Sequence, residues 1–129
     1  LAVDKAIGLA QAFSSAVSVL YVIDPYPFTG VGADFAYGQT QYLGAARAEA
    51  NEALAQARKA FEAAGVRVSA SLVEAHAVWR GITEAAEAGG ADLIVMGSHG
   101  RSGIEKLVLG SVAQSVLSHA HLPVLVVRG

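Results

Sequence analysis

Four short apolar runs rich in β-branched residues, each preceded by a segment of helical periodicity, constrain this chain more than any other feature. Val3, Ile7, Ala10 and Phe13 recur at spacings of three and four, which predicts a helix over residues 1–14. The run SVLYVI at 18–23 is apolar almost throughout, as in a strand covered on both faces. From about 41 to 64, Leu43, Ala46, Ala50, Leu54, Ala57, Phe61 and Ala64 mark one helix face, and Gly65 supplies a left-handed cap. VRVSASLV at 66–73 alternates like a half-covered strand. Val78, Ile82 and Ala85 predict a third helix, closed by Gly89-Gly90. ADLIVMG at 91–97 reads as a buried strand, 111–119 as a helix with Val112, Val116 and Ala120 inward, and PVLVVR at 123–128 as the last strand. Helix and strand therefore alternate four times. That order predicts one α/β domain, an open parallel sheet with helices on both faces and right-handed crossovers.

The 129 residues suffice for one domain with a real core, and no repeat or linker divides them. DPYPFTGVGADFAYGQT, between the first strand and the second helix, is too long for a passive connector and is either functional or mobile. The net charge is −2, without blocks of like sign, so neither nucleic acid nor an acidic membrane is an expected partner. Apolar stretches stop well short of the ~20 residues a membrane span needs, and no leader pattern is expected at the N-terminus. The lack of cysteine excludes disulfides, thiolate nucleophiles and cysteine metal sites, and suits a cytoplasmic protein.

Ligands of parallel α/β sheets bind beyond the carboxyl ends of the strands. There the chain reads GSHGRSGIEKLVLGS, residues 97–111. Gly97 and Gly100 allow a tight turn and close approach of a ligand to the backbone. Successive amides in such a turn make an anion-binding concavity. Gly110-Ser111 opens the next helix, whose N–H groups and positive dipole end favour phosphate, with the Ser111 hydroxyl as a further donor. Two donor clusters suit a polyphosphate. The plain alternative is a glycine turn followed by a serine cap. Neither the P-loop pattern nor a dinucleotide fingerprint is present.

Other residues offer themselves with equally plain alternatives. His99 could donate to a phosphate or be an exposed loop histidine. Arg101 and Lys106 could lend charge or be solvated. Asp24, Asp34 and Asp92 could touch a phosphate-bound Mg²⁺, Asp24 being best placed, although capping a turn is the usual role. MGSHG misses the nucleophile elbow because Met96 stands where glycine is needed, so Ser98 is a poor nucleophile. His119 and His121 form an H-x-H pair without a visible third ligand, and a solvated or helix-capping role is expected. His76 is expected at the surface and Trp79 in the seam between helix and sheet.

The spacing Gly97-x2-Gly100-x9-Gly110-Ser111, within ADLIVMGSHGRSGIEKLVLGSVAQSVLSHAHLPVLVVR, resembles the ATP-binding signature of the universal stress protein family. The upstream order of elements is similar too. The resemblance implies a five-stranded parallel sheet of order 3-2-1-4-5 and a homodimer, often joined through the last strand, here 123–128. It implies that Met96, Gly97, His99, Gly100, Gly110, Ser111 and Val112 match positions around ribose and phosphates, that Val22 matches one beside adenine, and that Arg101 lies within the phosphate loop. The implied ligand is ATP, with Mg²⁺ as a possible companion. The family's first strand ends in an aspartate near base and ribose, and no residue here matches it. An N-terminal strand preceding Leu1 is therefore expected, against a four-stranded domain that never had one. Three functions stay open: a dimeric ATP-binding regulatory module of the stress response, a slow nucleotide hydrolase, and a scaffold that binds no nucleotide.

Overall fold

The structure is a computed structural model that describes residues 2–25, 33–98 and 109–128. The predicted alternation is present. The helices are α1 (Ala2–Phe13), α2 (Ala33–Ala63), α3 (Val78–Ala88) and α4 (Ser111–His119). The strands are β1 (Val17–Ile23), β2 (Val68–Glu74), β3 (Ile94–Gly97) and β4 (Val124–Val127).

Strand β1 runs parallel to β2, with Val17 opposite Val68 and Ile23 opposite Glu74. Strand β3 runs parallel to β4, with Ile94 opposite Val124 and Gly97 opposite Val127. Among the described residues these are two separate two-stranded ribbons, and no ladder joins β1 to β3. Period-two alternation places the helices. Val17 and Val19 of β1 and Val68 of β2 pack on the cluster of Ala10, Phe61 and Val66, to which α1 and α2 contribute. Val22, of opposite parity, meets α3 at Gly81. Helices α1 and α2 thus cover one face of the first ribbon and α3 the other. Helix α1 also touches β3 and β4, while α3 packs on α4 and α4 on β4. The two ribbons are held together through helices.

Three helices end in one way. Gly65 (φ +77°) and Gly90 (φ +69°) take the left-handed conformation. After α2, Gly65 N–H donates to Glu62 O and Val66 N–H to Phe61 O. After α3, Gly90 N–H donates to Glu87 O and Ala91 N–H to Ala86 O. This is the Schellman arrangement, in which glycine escapes the steric penalty on a Cβ. Helix α1 uses Ser14 (φ 53°) in the same place, with Ser15 N–H donating to Ala10 O.

The second helix begins earlier than its sequence predicts. Ala33–Thr40 are helical, so Gly38 and the aromatic-rich stretch around it do not form a loop. Helix elongation adds one hydrogen bond per residue fixed, and a long alanine-rich segment carries a glycine that costs about 1 kcal/mol. The remainder of that connector, 26–32, lies outside the described residues. Strand β3 starts at Ile94 and leaves Ala91–Leu93 in the preceding turn. No helix among the described residues is long and apolar enough to cross a membrane.

Candidate functional site

The carboxyl end of β3 and the start of α4 are joined directly. Ser98 is buried, and its N–H donates to Val127 O at 2.9 Å, which continues the β3–β4 ladder one residue past Gly97. The Ser98 carbonyl accepts the Gly110 N–H at 2.7 Å. One short hydrogen bond thus closes the loop and brings Gly97 and Gly110, the ends of the predicted signature, to the same place.

The same bond divides the available donors. Gly110 N–H is committed to Ser98, so Gly110 serves as a pin. It stands at the N-cap in extended conformation (φ −64°, ψ 160°), and no side chain caps the helix. The first intrahelical bond runs from Gln114 N–H to Gly110 O at 3.0 Å. The amides of Ser111, Val112 and Ala113 therefore precede the first intrahelical donor, as the geometry of any helix start requires. Ser111 is exposed, Val112 half-buried and Ala113 buried. The positive end of the α4 dipole lies with the first two.

Gln114 is a contributor that the sequence reading passed over. Its Nε2 donates to Leu109 O at 2.7 Å, which fixes the chain just before the cap. A glutamine four residues after the cap was the available signal, but it does not match the capping-box spacing.

The remaining predicted residues fall into three groups. Met96 and Gly97 lie at the end of β3, opposite Val126 and Val127, and both are half-buried. Val22 lies near the end of β1, on the other ribbon, with its γ-methyl groups against α3. His99, Gly100, Arg101 and Lys106 lie outside the described residues. The candidate residues thus lie on both ribbons: Met96 and Gly97 on β3, Gly110, Ser111 and Val112 at the start of α4, and Val22 on β1. A groove of about 520 Å³ is lined by Asp4, Lys5, Gly8, Leu9, Val127 and Arg128, and Val127 also accepts the Ser98 N–H.

Other candidates are accounted for structurally. Asp24 Oδ1 lies 3.4 Å from His76 Nδ1, and His76 is highly exposed. Asp92 is exposed, and the Asp34 side chain lies outside the described residues. His119 Nδ1 lies 2.8 Å from Ser115 O, so the imidazole caps the end of α4 as expected. Its ring stacks on Trp79, with centroids 4.1 Å apart at 21°. Trp79 is half-buried and through that stack joins α3 to α4, with the Arg80 guanidinium 5.2 Å from its ring. No group of three or more potential metal ligands occurs among the described residues.

Comparison with known proteins agrees with the fold. A model of the universal stress protein family matches residues 1–128. A universal stress protein of Methanocaldococcus jannaschii is 39% identical over 127 residues, which are 98% of this chain and 73% of that protein. The structure superposes on a universal stress protein of Lactobacillus plantarum with a TM-score of 0.85 at 23% identity, covering 98% of this chain and 87% of the other. It also superposes on a universal stress protein solved in complex with cAMP, with a TM-score of 0.67 at 26% identity, covering 98% of this chain and 84% of that one.

Proposed function

The chain belongs to the universal stress protein family, and from that premise we propose that it is an ATP-binding module that acts as a homodimer in a regulatory, stress-linked role. The observation that carries the reading is the 2.7 Å bond from Gly110 N–H to Ser98 O. It sets the uncapped start of α4 beside the glycine end of β3, where backbone donors and the helix dipole favour phosphate oxygens. A relative that shares the fold was solved with a cyclic adenine nucleotide, which supports an adenine nucleotide as the ligand class.

In this reading the Ser111 and Val112 amides and the Ser111 hydroxyl hold phosphate oxygens. Gly110 holds the turn, His99, Gly100 and Arg101 complete the loop, Met96 and Gly97 border the ribose, and Val22 walls the base. Mg²⁺ accompanies the phosphates. The two ribbons are flanks of one domain, which a strand seated between β1 and β3 and carrying the aspartate for base and ribose would complete. Val124–Val127 offers the free edge through which two copies pair, and the protein works in the cytoplasm. Binding, and not turnover, is the activity this reading proposes. A slow hydrolase and a scaffold without nucleotide are the alternatives.

Calorimetric titration of the full-length protein with ATP, AMP and tripolyphosphate tests the reading. ATP should bind more tightly than AMP, and tripolyphosphate should bind measurably. Equal affinity for ATP and AMP, or no affinity for ATP, overturns it.

A further inference from the structure

Gly81 lies in the first turns of α3 and is buried. A Cβ built there would stand 2.9 Å from Val22 Cγ1, 3.5 Å from Val22 Cγ2 and 3.0 Å from Ala75 Cβ. Carbon atoms in contact prefer about 3.5–4.0 Å. Helix α3 therefore approaches β1 as closely as only a residue without a side chain permits, and the atoms it meets first are the methyl groups of Val22.

Helix α3 is also held from the far side. Residues i and i+2 of a helix lie about 200° apart, so Trp79 points away from Gly81. Its ring stacks on His119 of α4 at 4.1 Å. Crowding at position 81 consequently cannot be relieved by letting α3 retreat without disturbing that stack. The softer response is displacement of Val22. Val22 is half-buried and meets α3 at Gly81.

We infer that Gly81 is a positioning residue for the nucleotide base: its missing side chain sets where the Val22 wall stands, so the size of residue 81 tunes base recognition without touching the ligand. This rests on the reading of Val22 as the base-side wall. Overpacking by one methyl displaces side chains and backbone locally. The cost falls on the half of the ligand that meets Val22, not on the phosphates held by α4.

The experiment titrates full-length wild type, Gly81→Ala, Val22→Ala and the double variant with ATP, adenosine and tripolyphosphate. Gly81→Ala should weaken ATP and adenosine by about tenfold and leave tripolyphosphate within about twofold. In the Val22→Ala background, which lacks the colliding methyl groups, the same change should cost adenosine much less, the non-additivity expected of residues in contact. Alanine is the better helix former; should Gly81→Ala nevertheless not fold, the double variant compared with Val22→Ala carries the test. Parallel loss of tripolyphosphate, an adenosine affinity indifferent to residue 81 in folded protein, or equal losses in both backgrounds overturns the inference. Wild type that binds tripolyphosphate but no adenosine overturns the base wall itself, and with it the reading on which the inference rests.

Discussion

Substituting Ser111 by proline removes two proposed phosphate donors while leaving the helix that carries them. Ser111 is the first residue of α4, so its N–H has no acceptor within the helix. Proline is well tolerated at this position because its fixed φ near −65° is already helical. It also demands an extended residue before it, and Gly110 stands at φ −64°, ψ 160°. The substitution therefore costs the fold nothing identifiable and should stabilise it by about 0.4–1 kcal/mol through the unfolded chain. Two proposed donors disappear, the N1 amide and the hydroxyl. A hydrogen bond to a charged group contributes about 1.5–3 kcal/mol, so losing even one weakens ATP by about tenfold to a hundredfold. Ser111→Ala removes the hydroxyl alone and should show the smaller part of the loss. Calorimetry with ATP and tripolyphosphate, beside thermal melts of each variant, measures both sides. A folded Ser111→Pro protein that binds tripolyphosphate like wild type refutes the backbone seat.

Gly110→Val should keep the fold, since its φ and ψ are open to any residue; a poorer cap costs at most about 1 kcal/mol, while calorimetry should show weakened ATP. Phe61→Ala should destabilise the protein by about 3–5 kcal/mol in urea denaturation, because the ring is 2% exposed and joins α1, α2 and β2 through Ala10, Val66 and Val68. Ser14→Gly should stabilise by about 1 kcal/mol and Gly65→Ala destabilise by about the same, since both sites hold positive φ (53° and +77°) and differ only in whether a Cβ is present; matched urea curves check the opposite signs.

Local chemistry was readable where the chain itself supplies both partners. Gly65 and Gly89-Gly90 announced their helix ends because a left-handed cap is decided by one residue and the turn behind it. Ser14 performs the same task without announcing it, since serine occurs in many settings and its φ is set by the Ser15–Ala10 bond. The early start of α2 was hidden by glycine and aromatic residues that a cooperative helix absorbs. The stack of Trp79 on His119 was not legible, because the two lie on different helices and no pattern along the chain couples them. The glycine signature predicted that residues 97 and 110 come together. It could not predict which amides the fold consumes: Gly110 and Ser98 donate inward, and Ser111 and Val112 are the first amides of α4, ahead of its first intrahelical donor.

The division of the sheet has a consequence for how the site works. Two-stranded ribbons are marginal on their own, so what unites β1–β2 with β3–β4 also sets the distance between the proposed base wall and the proposed phosphate seat. Two described helices do this. Helix α1 lies on the Val17–Val19 face of β1 and reaches β3 and β4. Helix α3 lies on the Val22 face and reaches α4. A ligand bound at both ends adds a third tie, and its affinity depends on how little the ribbons must move to meet it. A strand seated between β1 and β3 would pair both inner edges and fix that distance by backbone geometry. Nucleotide affinity and resistance to unfolding should therefore rise and fall together across changes to α1 and α3, even where no altered residue touches the nucleotide.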